Sequence, residues 1–255
     1  MNPSYWIQRF QDNQTPWTPP IMDGPAPFLK DSRCEALARA FATFQLGETG
    51  GGTRLQRFVR EAFPPDGGDY ARAVDFFLAE EHRHSAMLAT VVEHLCGELQ
   101  RRHWQNAVFR RVRTLCGLEF NLQVLLTAEL IALGWYGLLA HAVPDPVVRS
   151  ACARITRDEV GHVAFHADFF RTVQRSRLPI GSQIWALQFQ TVLLMTEAAA
   201  WWEFGQCLRS FGISRRMFQG RVRGAARDFL TRVGCYPGRT TSTRSDLTAV
   251  IQGDE

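Results

Sequence analysis

Two short stretches place metal-binding residue types at one repeated spacing. Glu81 with His84, and Glu159 with His162, stand three positions apart in segments of helical character. On a helix such a pair lies on one face, one side chain above the other, so each pair can offer a carboxylate oxygen and an imidazole nitrogen to a single cation. Each histidine also follows an acidic residue by four positions, Glu80 for His84 and Asp158 for His162. That position suits an outer carboxylate accepting the ring N–H of its own histidine, which would turn the other ring nitrogen toward the metal. One Glu-x-x-His is a weak signal, because such pairs often only hydrogen-bond in solvent. The repetition strengthens it, as do two single glutamates, Glu48 lying 33 positions before Glu81 and Glu129 lying 30 before Glu159. Each interval leaves room for a helix, a turn and a return to about the same height.

Four carboxylates facing one another in an apolar bundle would repel and would be costly to bury ionised. Two divalent cations offset that charge. Two imidazoles with four carboxylates suit iron or manganese better than structural zinc, which takes a closed four-coordinate site, or calcium, which rarely uses imidazole. The expected cofactor is therefore a pair of iron ions, with a mixed manganese and iron pair accepted by the same ligands. Glu35 and Glu61 compete with Glu48, and Glu119 with Glu129, but only Glu129 keeps the interval and sits amid Leu125, Leu126, Leu130 and Ile131. His166, four after His162, shares the ligand face and reads as an outer or pocket histidine, an added ligand being the other reading. Glu197 stands in an apolar run, either as a pocket-lining group or as a buried partner for an arginine.

Helices must position these residues. From Asp31 or Ser32, both good caps, Leu37, Phe41, Phe44 and Glu48 follow at spacings of three and four, and Gly50, Gly51 and Gly52 then bend or break the pattern. Further helices are expected over about 70–98, 104–141, 147–175, 182–211 and 214–233, with a turn at 64–68. No alternating strand pattern competes. The fold class is thus all-α, a four-helix bundle with additional C-terminal helices. Residues 1–30 hold Pro3, Pro16, Pro19, Pro20, Pro25 and Pro27 with Trp6 and Trp17 between them, which predicts an extended arm docked on the body. The helical domain covers 31–235, and the Ser, Thr and Gly-rich residues 236–255 read as a flexible tail.

Composition narrows the setting. At 255 residues, 45% hydrophobic and 21% charged, the chain is long enough to bury a large core. Its six cysteines form no C-x-x-C pair and read as reduced, which fits a cytoplasmic protein. No charged segment followed by an apolar run marks a secretory signal, and Glu129 or Glu197 interrupts each long apolar stretch, so no membrane association is expected. A net charge of +4, nearly all from arginine with Lys30 the one lysine, does not argue for nucleic acid. The arginines of 215–227 read as a solvated face able to receive an acidic redox partner or carrier protein. Trp135, Tyr136, Trp201 and Trp202 read as core or interface packing, and a homodimer is compatible with the sequence.

The order Glu48, Glu81-x-x-His84, Glu129, Glu159-x-x-His162 resembles the ferritin-like di-iron carboxylate superfamily, over roughly residues 34–172. Locally, Ala79-Glu80-Glu81-His82-Arg83-His84 is similar to a stretch of soluble acyl-carrier-protein desaturases, and Arg157-Asp158-Glu159-Val160-Gly161-His162 to one of ribonucleotide reductase small subunits. The resemblance implies a ferritin-like bundle with Glu81 and Glu159 as bridging carboxylates, Glu48 and Glu129 as terminal ones, and one imidazole per iron from His84 and His162. It further implies O₂ as co-substrate, an external electron donor, and a small-molecule or carrier-bound organic substrate that is hydroxylated, desaturated or N-oxygenated. A ferritin-like iron-binding or structural role is the alternative. Leu88 stands where the reductases carry a tyrosine, Ala132 and Leu133 where desaturases and monooxygenases carry a threonine, and Ile155 where arylamine N-oxygenases carry a further histidine. Radical storage and desaturation of those types are therefore not expected.

Overall fold

A computed structural model describes residues 1–21, 24, 28–49, 52–62, 68–100 and 117–235. Eight helices account for most of these, with no strand among the described residues. They are α1 (Pro3–Asp12), α2 (Asp31–Glu48), α3 (Gly52–Ala62), α4 (Gly68–His94), α5 (Leu118–Ala142), α6 (Pro146–Arg175), α7 (Pro179–Ser210) and α8 (Arg215–Val233). The expected turn at 64–67, Gly50 and Gly51, the start of the expected third helix at 104–116, and the tail 236–255 lie outside the described residues.

Four helices form the bundle that holds the glutamates and histidines. Gln45 of α2 donates to Ser85 of α4 near one end of their contact, and Ala38 meets Gly97 near the other, so the two run antiparallel. Between α4 and α6, Tyr70 stacks on Phe169 while His94 meets Asp145, again antiparallel. Helix α5 returns into α6 through the short link Val143–Asp145, and its Trp135 and Tyr136 meet Phe44 and Phe41 of α2. Helices α2 and α6 therefore run one way and α4 and α5 the other. In a four-helix bundle a parallel pair of successive helices, such as α4 and α5, goes with a long crossover connection rather than a short turn.

Asp145 fixes the register of α6. Its carboxylate accepts from the backbone N–H of Val147 and Val148 as an N-cap, Pro146 takes the first helical position, and His94 at the end of α4 lies 3.0 Å from the same carboxylate. One buried acid thus caps one helix and ties it to the end of another.

Helix α5 is long and apolar enough to cross a bilayer, but most of its surface is buried among its neighbours, as for the central helix of a bundle. Gly134 on α5 permits close approach of α8, since a Cβ there would stand 2.7 Å from the Val222 side chain. Trp135 and Tyr136 are buried, as expected, whereas Trp202 is 84% exposed and belongs to no core.

The N-terminal arm differs from expectation. Residues 3–12 are a helix, not an extended segment. Asn2 accepts from the Tyr5 N–H, Pro3 sits at the start, and Trp6, Ile7 and Phe10 bury one face on α4 and α6. Ten residues are too few for a stable isolated helix, so docking supplies its stability. Beyond Asn13 the chain leaves the helix and lies along α6, with Trp17 Nε1 donating to Ser150 Oγ.

Candidate metal centre

Helix α4 brings Glu81 and His84, and α6 brings Glu159 and His162, to one buried point where their ligand atoms all lie within 4.8 Å of one another. Glu159 spans the pair, its Oε1 standing 3.6 Å from His84 Nδ1 and its Oε2 3.5 Å from His162 Nδ1. Glu81 Oε1 also faces both rings, at 3.0 Å from His162 Nδ1 and 3.9 Å from His84 Nδ1. Glu129 of α5 approaches the His162 side, with Oε2 at 3.4 Å from Nδ1. Glu48 of α2 approaches from the fourth helix: its stem is partly exposed, but its carboxyl lies close enough to those of Glu81, Glu159 and Glu129 for their charges to act on it. All six residues of the repeated pattern therefore converge.

The competing carboxylates lie elsewhere. Glu35 and Glu61 are exposed and pair with Arg39 and Arg57 on their own helices, and Glu119 pairs with Arg177. Glu197 is buried but faces α8, where Arg223 grips both its oxygens at 2.9 Å and Gln219 donates to one. It is an arginine partner, the second of its two readings.

A correction concerns the outer carboxylates, which are exchanged between the helices. His84 Nε2 lies 3.3 Å from Asp158 Oδ2, and His162 Nε2 lies 3.1 Å from Glu80 Oε2. The sequence spacing had suggested a partner from the same helix. Across an antiparallel contact, however, each ring edge turned away from the cluster meets the facing helix, and the carboxylate there is the one within reach. The exchange couples the two helices through both imidazoles.

It also orients both rings for a metal. With Nε2–H donating to a carboxylate, each Nδ1 faces the cluster and, once any proton on it is displaced, turns its lone pair inward. These Nδ1 atoms, together with Glu81 Oε1 and Glu159 Oε2, are buried and have no hydrogen-bond partner. Buried polar atoms without partners cost stability unless something else satisfies them. Two imidazole lone pairs converging with carboxylate oxygens are a donor set that fits a divalent metal, and this group could hold one.

The electrostatics agree with that fit. Burial, then the Glu81 carboxylate, pushes the Glu48 carboxyl well above the usual range, and burial with Glu129 does the same to Glu159. Burial would also raise Glu129, but hydrogen bonds from Glu159 and His162 overcome it and bring it down to about 2. Burial disfavours the charged form of His162, yet the carboxylates of Glu129, Glu159, Glu80 and Glu81 raise it well above its ordinary value. Without metal the cluster retains protons, and cations would displace them.

Several residues around the centre carry no repeated signal. Asn13 donates through Nδ2 to both Glu80 and Asp158, bridging the two outer carboxylates. Arg154 donates through Nε to Asp158 at 2.8 Å and holds the carbonyls of Asn13 and Thr15, while Arg83 pairs with Glu80. Against their burial, these contacts keep Glu80 and Asp158 below the usual carboxylate range, with the imidazoles contributing first. Gly161 lets the Arg9 guanidinium lie on α6, because a Cβ there would fall 2.6 Å from it. None of these was legible while the arm read as extended. Tyr136 did carry a signal, two turns beyond Glu129 on α5. Its buried hydroxyl has no hydrogen-bond partner, and burial and then the Glu48 and Glu159 carboxylates raise its pKa.

His166 is fully buried with its ring edge-on to Phe77, and its charge helps lower Glu129. It stands beside the group of four. A cavity of ≈ 230 Å³ lies between the arm and the helices, lined by Pro16 and Trp17 on one side and by Met87, His84 and Asp158 on the other.

Comparison with protein families, curated proteins and solved structures gives no match. The chemistry rests on the geometry of the centre.

Proposed function

We propose that the chain is a non-haem di-iron oxidoreductase that activates O₂ to oxidise an organic substrate. The observation that carries this reading is the pair of inward Nδ1 atoms, each fixed by an outer carboxylate and facing buried glutamate oxygens. The helix directions also agree with a ferritin-like bundle. Bound iron would supply the one-electron steps of O₂ activation that no side chain of the site can perform.

The residues divide the remaining work. Glu159 and Glu81, which face both imidazoles, suit bridging positions, while Glu129 and Glu48 suit terminal ones. Glu80 and Asp158 orient the rings, and Asn13 ties these two carboxylates together. Phe10, Phe77 and Phe165 pack around the His162 side and exclude water from it. The cavity beside His84 supports a small ligand reaching the other side. An external electron donor and a small-molecule or carrier-bound substrate complete the reaction. The thiols of Cys34, Cys96, Cys152, Cys207 and Cys235, none in a disulfide, fit the cytoplasmic reading.

The test is metal analysis with Mössbauer spectroscopy on iron-loaded chain, reduced anaerobically and mixed with O₂, beside Glu81→Ala and Glu159→Ala variants. Two irons per chain, an oxygen-sensitive coupled spectrum lost in the variants, and reductant-driven O₂ uptake stimulated by an acyl, aromatic or amine substrate are expected. Folded protein that ignores iron would overturn the metal centre. Iron oxidation without substrate-stimulated O₂ uptake would assign iron handling instead.

A further inference from the structure

Helix α7 is apolar on two opposite faces. Trp185, Phe189, Leu193, Ala200 and Leu208 are buried against the bundle. The opposite face carries Ile180, Ile184, Leu187, Leu194, Met195 and Trp202, exposed by 52% to 84%. These six follow the helical repeat over about 33 Å of helix. From Pro179 to Trp202 the one charged residue is Glu197, which is buried on Arg223. A solvent-facing helix normally carries charge on its outer side, so a face of six turns with none marks a contact surface.

We infer that this face joins α7 to α7 of a second copy of the chain, antiparallel about a two-fold axis at Thr191. The sequence of the face is self-complementary about that point. Antiparallel alignment sets Leu187 opposite Met195, Ile184 opposite Ala198, and Ile180 opposite Trp202. Ile184 thus meets the small Ala198, and Leu187 and Ile180 meet an adaptable or flat partner, as interlocking side chains require, while Leu194 falls opposite the stem of Gln188. A two-fold interface needs only that the patch match itself, and a patch without charge meets no like-charge repulsion when doubled. The exposed area of the six side chains amounts to on the order of 800 Å² per copy, the share each partner contributes to a stable interface of standard size. Neither tail composition nor an acidic partner accounts for the face as well. Residues 236–255 contain few apolar side chains, and an acidic protein would find no cation along the stripe.

Sedimentation of the full chain, iron-loaded, tests the pairing. A dimer is expected at micromolar concentration, with Leu187→Arg weakening it about 100-fold or more because each dimer meets the charge twice. Circular dichroism must show that variant still helical. Thr191→Cys, in a Cys96→Ser background, removes dependence on a disruptive change: it should give a disulfide-linked dimer on mild oxidation, whereas Thr231→Cys on the exposed face of α8 should not. A chain that stays monomeric overturns the inference, as does a dimer that Leu187→Arg leaves intact. A monomer that binds phosphatidylglycerol vesicles through this face would assign a lipid surface and also overturn it.

Discussion

The two halves of the centre share a sequence pattern but not an environment. Around His162, Phe10 and Phe77 close the ring from α1 and α4, and three glutamate oxygens lie within 3.5 Å of Nδ1. Around His84 the nearest glutamate oxygen is 3.6 Å away, and the ring lines the cavity beneath Trp17. One half is sealed by aromatic packing and the other borders open space. The difference comes from the N-terminal arm, whose helix covers one side while its extended part only roofs the other.

Removing a carboxylate that serves both halves should have the largest effect. Glu159→Gln should abolish iron loading while raising the melting temperature of the metal-free chain, since an amide removes the cost of burying an ionisable carboxyl crowded by Glu129. Metal analysis and calorimetry read the two effects, and a lower metal-free melting temperature would refute the crowding argument. Unsealing one half comes next. Phe10→Ala should cost about 3–5 kcal/mol in denaturant unfolding, whereas Trp17→Ala over the open half should cost less and mainly speed removal of iron by a chelator.

Asn13→Ala acts on both halves through the outer carboxylates. We expect a loss of about 1–3 kcal/mol and a roughly tenfold weaker metal affinity, with Asn13→Asp worse because it sets a third negative charge beside two. Equal stability of wild type and Asn13→Ala would show that the bridge contributes nothing.

The smallest effect is that of pH on the metal-free chain. Glu48, Glu159 and His162 hold protons more tightly folded than unfolded, so folding takes up protons and stability falls as pH rises. Glu80, Asp158 and Glu129 are shifted the other way; their contribution is present above the unfolded carboxylate range and is lost only in acid. Between about pH 6 and pH 8 the first group governs, so the metal-free melting temperature should fall, and iron should flatten that slope. A flat metal-free profile would count against retained protons in the cluster.

Helical periodicity alone established a good deal. It placed Glu81 with His84 and Glu159 with His162 on inward faces, kept Glu129 and Glu48 within reach, and began α6 at about 147 and α8 at about Ser214. It could do so because face and cap are local properties, settled by residues three and four apart. The arm's prolines outweigh the Asn2-Pro3 start of α1 in the sequence, and Trp6 and Phe10 show their purpose only against α4 and α6.

Tertiary structure decided who meets whom. Glu197 and Glu129 look alike in sequence, each a lone acid in an apolar helix, yet one faces Arg223 and the other the histidines. Glu80 and Asp158 were recognisable as outer carboxylates, but their exchange between His84 and His162 depends on how α4 crosses α6. Spacing within a helix fixes the direction in which a side chain points. The group it meets there belongs to another helix, and only the packing of the bundle brings that group into place.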